Sequence, residues 1–187
     1  MPSTPVWNLP YPCAGENIDP AIFCEFSDAV DTALATLNDQ ADFVANRPNA
    51  RIDRTASSNT FAAGVASMVQ FDTEVFDNRG MADLSVDNTA LTVSFSGIYW
   101  ASFSVGGFST FTTWTRYLMN IVQNGNSRIY RKFIVNTAQS TPTDNTITGV
   151  LQCQAGDVVR GNFTFIGTGG PMVMTRANLS LSFICDL

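Results

Sequence analysis

The sequence predicts a mainly β chain: a sandwich or jelly roll over residues 61–187, preceded by an extended arm and a coiled-coil-like helix. Three features predict this. From Phe61 onward, short runs alternate apolar and polar side chains, the period of strands with one buried face. Upstream, Asp19-Pro20 pairs an N-cap residue with proline at the first helical position. Before that, Pro2, Pro5, Pro10 and Pro12 fix φ and remove backbone donors, so residues 1–19 read as an arm.

The head is patterned around Leu91 to Val105. Leu91, Val93 and Phe95 alternate with Thr92, Ser94 and Ser96; Gly97 breaks the run, and a second strand starts at Ile98. There Tyr99, Ala101, Phe103 and Val105 form one apolar face, while Ile98 and Trp100 place apolar groups on the other. A strand apolar on both faces meets a second sheet or a neighbouring subunit. Further strands are expected over 64–71, 90–95, 112–123, 127–135, 146–152, 157–166 and 172–184. Asn124-Gly125 marks a hairpin, and Gln154-Ala155-Gly156-Asp157 marks a second turn. Eight or more short strands without intervening helices mean a β-sandwich or jelly roll.

The helix is expected over 20–46, ended by Arg47-Pro48. Phe23, Phe26, Val30, Ala33 and Leu37 step by three and four residues, a heptad seam that continues through Gln40 to Val44. Ala29, Leu34 and Ala41 widen the stripe, which suits a three-helix stalk. Residues 47–60, with Arg47, Arg51 and Arg54 and no core pattern, read as a linker. Trp7, Leu9 and Tyr11 are large apolar groups on the arm and are expected to anchor it to a partner.

Composition narrows the chemistry. Only 14% of residues are charged and 45% are hydrophobic, with 14 Phe. Net charge is −6, which disfavours nucleic acid as a partner. Residues 1–46 carry seven acids and no Lys or Arg. With no histidine, the commonest general base and transition-metal ligand is missing. Cys13, Cys24, Cys153 and Cys185 lack zinc spacing, and buried free thiols are the expectation for Cys153 and Cys185. No signal peptide or membrane span is read, so a soluble protein made in a cytoplasm is expected.

Two resemblances rest on particular residues. Phe71-Asp72, Val75, Asp77-Asn78, Leu91–Phe95 and Ser96-Gly97-Ile98-Tyr99-Trp100-Ala101-Ser102-Phe103 resemble the globular head of the complement q component and its relatives. Gly156-Asp157 with Val159, and the closing run Ala177–Phe183, resemble that family's later strands. The resemblance spans about 61–187 and implies the trimeric jelly roll shared with tumour necrosis factor. On it, Phe71, Phe95, Tyr99, Trp100, Phe103, Val159, Phe163 and Leu181 fall in the jelly-roll core or at a trimer interface. Leu9-Pro10-Tyr11-Pro12, a polar turn and the acidic stretches Asp28–Asp31 and Leu37–Asp42 resemble the opening of minor tail proteins of actinobacterial bacteriophages. That implies an anchoring segment, a coiled coil and a distal domain in a virion tail assembled in the host cytoplasm.

Catalytic groups are few. Asp72, Glu74 and Asp77 sit in a strand-to-turn segment where convergence across a cleft is not expected. No enzyme and no cofactor are expected. Binding is the more natural chemistry: Phe108, Phe111 and Trp114 follow Gly106-Gly107, while Arg128 and Arg131, with Arg116 and Lys132, flank the hairpin. These are candidate contacts to a host-surface glycan or lipid, set against sandwich core for the aromatics and a solvated hairpin face for the bases. The expected partners are two further copies of the chain and other phage tail or capsid proteins. A capsid head-fibre protein, or a lectin- or cytokine-like trimeric module, would use the same parts.

Overall fold

The computed structural model describes residues 20–56, 58–108, 114–134, 144–167 and 171–187; at 20–24, 26, 27, 44, 45 and 114 it describes the backbone alone. Trp7, Leu9, Tyr11 and Phe111 lie outside the described residues, as do the side chains of Phe23, Phe26, Val44 and Trp114. The chain divides into two units, Met1–Ala45 and Asn46–Leu187.

In the first unit, α1 (Pro20–Ala45) is a single helix of 26 residues. It ends before Pro48, whose ring disfavours helical backbone at the preceding residue. The Thr32 and Thr36 hydroxyls donate to the carbonyls of Asp28 and Thr32, four residues back. The seam is open along the helix: Val30 is 39% exposed, Leu34 52% and Leu37 60%, and Ala33 is exposed with them.

The second unit is two antiparallel sheets. Among the described residues its strands are β1 (Asn49–Arg54), β2 (Asn59–Phe61), β3 (Ser67–Met68), β4 (Thr73–Asp77), β5 (Ala90–Thr92), β6 (Gly97–Phe108), β7 (Trp114–Gln123), β8 (Asn126–Ile134), β9 (Asn145–Cys153), β10 (Val158–Gly167) and β11 (Met172–Cys185). The first sheet runs β4-β1-β11-β6-β9, with β2 also on β11; the second runs β3-β10-β7-β8, with β5 on β10. From β6 onward the chain passes from the first sheet to β7 and β8, back to β9, across to β10 and back to β11. That winding makes the sandwich a jelly roll.

The stretch expected as a linker, 47–60, is not one. It holds β1 and β2, and β1 lies between β4 and β11, pairing Ala50 with Leu181 and Ile52 with Leu179. Ala50 and Ile52 are fully buried while Arg51 and Asp53 face outward. Two apolar residues among three arginines are too few to register as an alternating run, yet they suffice between two strands. Arg54 is buried as well: its Nη1 donates to the Gln70 carbonyl at 2.5 Å. The head therefore begins at Asn46. In the expected strand over 64–71, by contrast, only Ser67–Met68 pairs in register, with Phe163 and Asn162.

The core lies between the sheets. Tyr99, Ala101, Phe103 and Val105 of β6 face it with Leu179 and Leu181 of β11, opposite Met119, Ile121, Val159, Phe163 and Phe165 of the second sheet. Phe163 meets Phe61 edge-on at 5.2 Å and Tyr117 at 5.6 Å; Tyr117 in turn stacks on Phe133 at 4.9 Å. At the other end of the sandwich, Phe183 meets Tyr99 edge-on at 5.4 Å. Burial lifts the Tyr99 phenol to about 12, and its hydroxyl donates to the Phe95 carbonyl at 2.7 Å. Cys153 is a buried free thiol pushed up to about 11 by burial; Cys185 is free too, but exposed, beyond the β1 pairing that ends at Ser182 and past a register shift against β6.

Carboxylates fasten the loops. Asn124 (φ 50°) and Gly125 (φ 80°) form the two-residue β7–β8 hairpin, which requires left-handed backbone at both positions. Asp157 ties this hairpin to the β9–β10 turn, accepting from the Gln154 amide, Gln123 Nε2 and Asn124 Nδ2 at 2.6 to 2.8 Å. Asp87 accepts from the Thr89 hydroxyl and from Arg160 Nη2, both at 2.6 Å. Asp72 caps the amides of Thr55 and Ala56, and Asp77 caps those of Arg79 and Ala82. Asp72 and Asp77 are thus turn caps serving separate loops.

Two tests follow from this packing. A Cβ on Gly161 would lie 2.4 Å from the fully buried Phe103 ring. Gly161→Ala is expected to cost about 1–3 kcal/mol by overpacking, read from urea denaturation. Asp157 and Asp87 are held below the usual carboxylate range, Asp157 chiefly by the Gln154 amide and Asp87 chiefly by the Thr89 hydroxyl. Their stabilisation is complete above about pH 4 and is lost as pH falls through their folded values. Asp157→Asn should flatten the acid limb of urea midpoint against pH below about pH 4.

Candidate binding face on the first sheet

The outward face of the first sheet gathers both apolar and charged groups. Its rows follow from the register. One runs Asn49, Ser182, Trp100, Val150; the next runs Phe76, Arg51, Ser180, Ser102, Thr148; a third runs Asp53, Asn178, Ser104, Thr146. Most of these are small hydroxyl or amide side chains, and Ser104 and Thr146 share a hydrogen bond of 2.7 Å. Against that low ground, Trp100 is 47% exposed, Val150 54% and Phe76 42%. Trp100 and Val150 are directly paired, so their side chains stand together.

At the far end of the same strands the face hollows into an open cleft of about 230 Å³. Arg51 forms one wall, its Nε and Nη2 each bonded to an Asp53 carboxylate oxygen, at 2.7 and 2.8 Å. That bidentate bond to Asp53 holds the Arg51 guanidinium above its ordinary pKa. Across from it, Arg176 Nη2 meets Asp144, 3.1 Å from Oδ2. Arg54 reaches the cleft from below, and desolvation lowers its pKa. Three guanidiniums and two carboxylates therefore line one depression, one positive charge in excess on a chain whose net charge is −6.

Two glycines permit this wall. A Cβ on Gly106 would lie 2.0 Å from Asp144 Oδ1, and one on Gly107 would lie 2.1 Å from Thr175 Oγ1 and 3.2 Å from Arg176 Nε. Gly107 also has φ +61°. As a sequence, Gly106-Gly107 reads as a lead into aromatics; in the fold it is the seat of the Arg176–Asp144 pair.

The other candidate residues fall as follows. Phe71, Tyr99, Phe103, Val159, Phe163 and Leu181 lie in the core. Trp100 and Phe95 do not: Phe95 is 46% exposed where β5 has already ended, touching Phe183 edge-on at 6.4 Å. Phe108 is no exposed receptor contact. It stacks on Phe163 at 5.7 Å and packs against Tyr117, because β6 runs three residues past Val105 and carries it into the sandwich. Arg128 and Arg131 are exposed on β8, an outer strand of the second sheet, with the Arg131 guanidinium 5.3 Å from the Phe133 ring centre. The structure does not bring those two arginines to Phe108. Reading the sequence missed Arg51, Asp53, Arg54, Asp144 and Arg176, which come from three separate stretches. The one signal available was the Arg51-x-Asp53 spacing, which in a strand puts both side chains on one face.

Among the described residues, no group of three or more His, Cys, Asp or Glu is placed to hold a metal ion, and no helix is long and apolar enough to cross a membrane.

Gly106→Ala tests the seating of Asp144. The methyl must displace the carboxylate and break its pairing with Arg176, seen as a moved Asp144 in a crystal structure. The stability cost should stay below about 1 kcal/mol, since exposed ion pairs contribute little.

No known family profile matches the chain, and no curated protein matches its sequence. Solved structures do match its fold. The globular domain of zebrafish complement 1qA protein superposes with a TM-score of 0.52 at 13% identity, covering 75% of this chain and all of that one. At that identity the likeness concerns the fold: the head is a jelly roll of the kind seen in that complement domain.

Proposed function

We propose that the chain is a non-catalytic, homotrimeric virion protein of a bacteriophage, a minor tail or fibre subunit. Three copies of α1 form its stalk, and the jelly roll is a distal head that attaches to the host surface. The observation that carries this reading is the placement of exposed apolar groups. Val30, Leu34 and Leu37 line one stripe of α1, and Trp100 and Val150 stand together beside a run of small polar side chains on the sheet face. Large apolar groups gathered on a surface mark a place of contact. A face of serines and threonines around them lets a second backbone approach closely. The fold shared with the complement domain supports a binding module over an enzyme, and the virion address rests on the resemblance of residues 1–46 to phage tail openings.

The stalk cannot hold the trimer unaided. It spans about three heptads, short for an autonomous coiled coil, and its acids repel one another at close range. Contacts between heads supply the remainder, and Trp100 is the group placed to make them. A capsid address, or a lectin-like trimeric module, would use the same two surfaces.

Light scattering on the purified full chain is expected to give three chain masses; a single chain mass would sink the proposal. Trp100→Asp should shift the assembly toward monomer by at least tenfold in dissociation constant, because it buries a charge in the contact. Leu37→Asp should weaken the trimer and lower its melting temperature. Antibody labelling of intact virions then separates tail from capsid.

A further inference from the structure

The cleft between Arg51 and Arg176 has a use that trimer formation does not require, since every group lining it comes from one chain. Among the described residues, Arg51 spends Nε and Nη2 on Asp53, leaving Nη1 without a bond. Arg176 spends Nη2 on Asp144, leaving Nε and Nη1. The Asn178 carboxamide, between them on β11, has no hydrogen-bond partner among the described residues, while the Thr55 hydroxyl is already bonded to Thr73 Oγ1 at 2.9 Å. The site thus offers N–H groups of two guanidiniums, an amide that both donates and accepts, and two carboxylates that accept. The ligand matching that set carries one negative charge and several hydroxyls. A volume of about 230 Å³ falls below the range of drug-sized pockets and suits a single sugar ring.

We propose that this cleft binds one acidic sugar residue, a hexuronate, with its carboxylate against Arg51 and Arg176 and its hydroxyls toward Asn178, Asp53 and Asp144. Guanidinium edges favour carboxylates through paired, charge-assisted hydrogen bonds. The carboxylates already in the cleft prevent Arg51 and Arg176 from capturing any passing anion, so the hydroxyls must contribute. Asp144 plays two parts: it accepts from the sugar, but it also competes with the ligand's carboxylate for Arg176. The inference deepens the reading of the head as a surface-binding module and rests on that reading only for where the sugar comes from.

The test is ligand-observed NMR titration of the full chain with sodium D-glucuronate, D-glucose and sodium acetate. Glucuronate is expected to bind saturably in the millimolar range, with glucose and acetate each at least about tenfold weaker, the loss of one charge-assisted or polar set. Arg176→Ala should weaken glucuronate binding about tenfold, whereas Asp144→Asn, which removes the competing charge, should strengthen it about threefold. Both residues are more than half exposed, so both variants should keep the wild-type melting temperature within a few degrees. Absence of saturable glucuronate binding overturns the proposal, as does acetate binding equally well or the two variants shifting affinity in the same direction. Light scattering on the same samples separates the two readings. A trimer that binds no glucuronate sinks this inference alone, and a single chain that binds it sinks the trimer alone.

Discussion

The head depends on the contact between the Phe103 ring and the bare backbone of Gly161. Phe103 stands at the middle of β6, and Gly161 lies in β10 of the opposite sheet, with no room for even a methyl group between them. A second pin of the same kind is Ile129 of β8 over Gly149 of β9, where an added Cβ would lie 2.6 Å from Ile129 Cδ1. Large side chain on one sheet, glycine on the other: this pairing sets how closely the two layers approach. Around it the aromatic rings of Phe61, Phe163, Tyr117 and Phe133 close one end of the sandwich. The outward rows of both sheets are then fixed by register, since a strand with one face pinned inward has no freedom about the other.

That constraint explains what stands on the first sheet. Tyr99, Ala101, Phe103 and Val105 face in, so Trp100, Ser102 and Ser104 face out, and Trp100 cannot be withdrawn without slipping the whole strand. The same logic applies to β1: Ala50 and Ile52 anchor it, and Arg51 and Asp53 are delivered to the surface as a fork. Most exposed groups of this face are a by-product of alternation, held by strands rather than by loops. Such groups keep their positions because the core beneath them does.

The legible parts of the fold were those with long periodic runs. β6 and β11 alternate over long stretches, 97–105 and 177–183, and Asn124-Gly125 has one conformation that suits it. β1 was illegible because two apolar residues among Arg51, Asp53 and Arg54 look like a polar spacer until β4 and β11 flank them. Phe108 stood open between receptor contact and sandwich core, because a local Gly-Gly-Phe pattern gives no hint that the strand continues through it to meet Phe163 and Tyr117. The cleft was beyond reach, because Arg51, Asp144 and Arg176 meet only through the pairings of β1, β11, β6 and β9. No spacing along the chain encodes that meeting.

The position of β11 has a consequence in time. It pairs with β1, β2 and β6, so the first sheet has no closed form until Met172–Cys185 have been synthesised. Helices form within about a microsecond, whereas sandwiches built on distant pairings take milliseconds to seconds. α1, made more than a hundred residues before β11, completes its turns while the head is still an open chain. The order of synthesis thus leaves β1, β2 and β6 without their common partner until the last strand emerges.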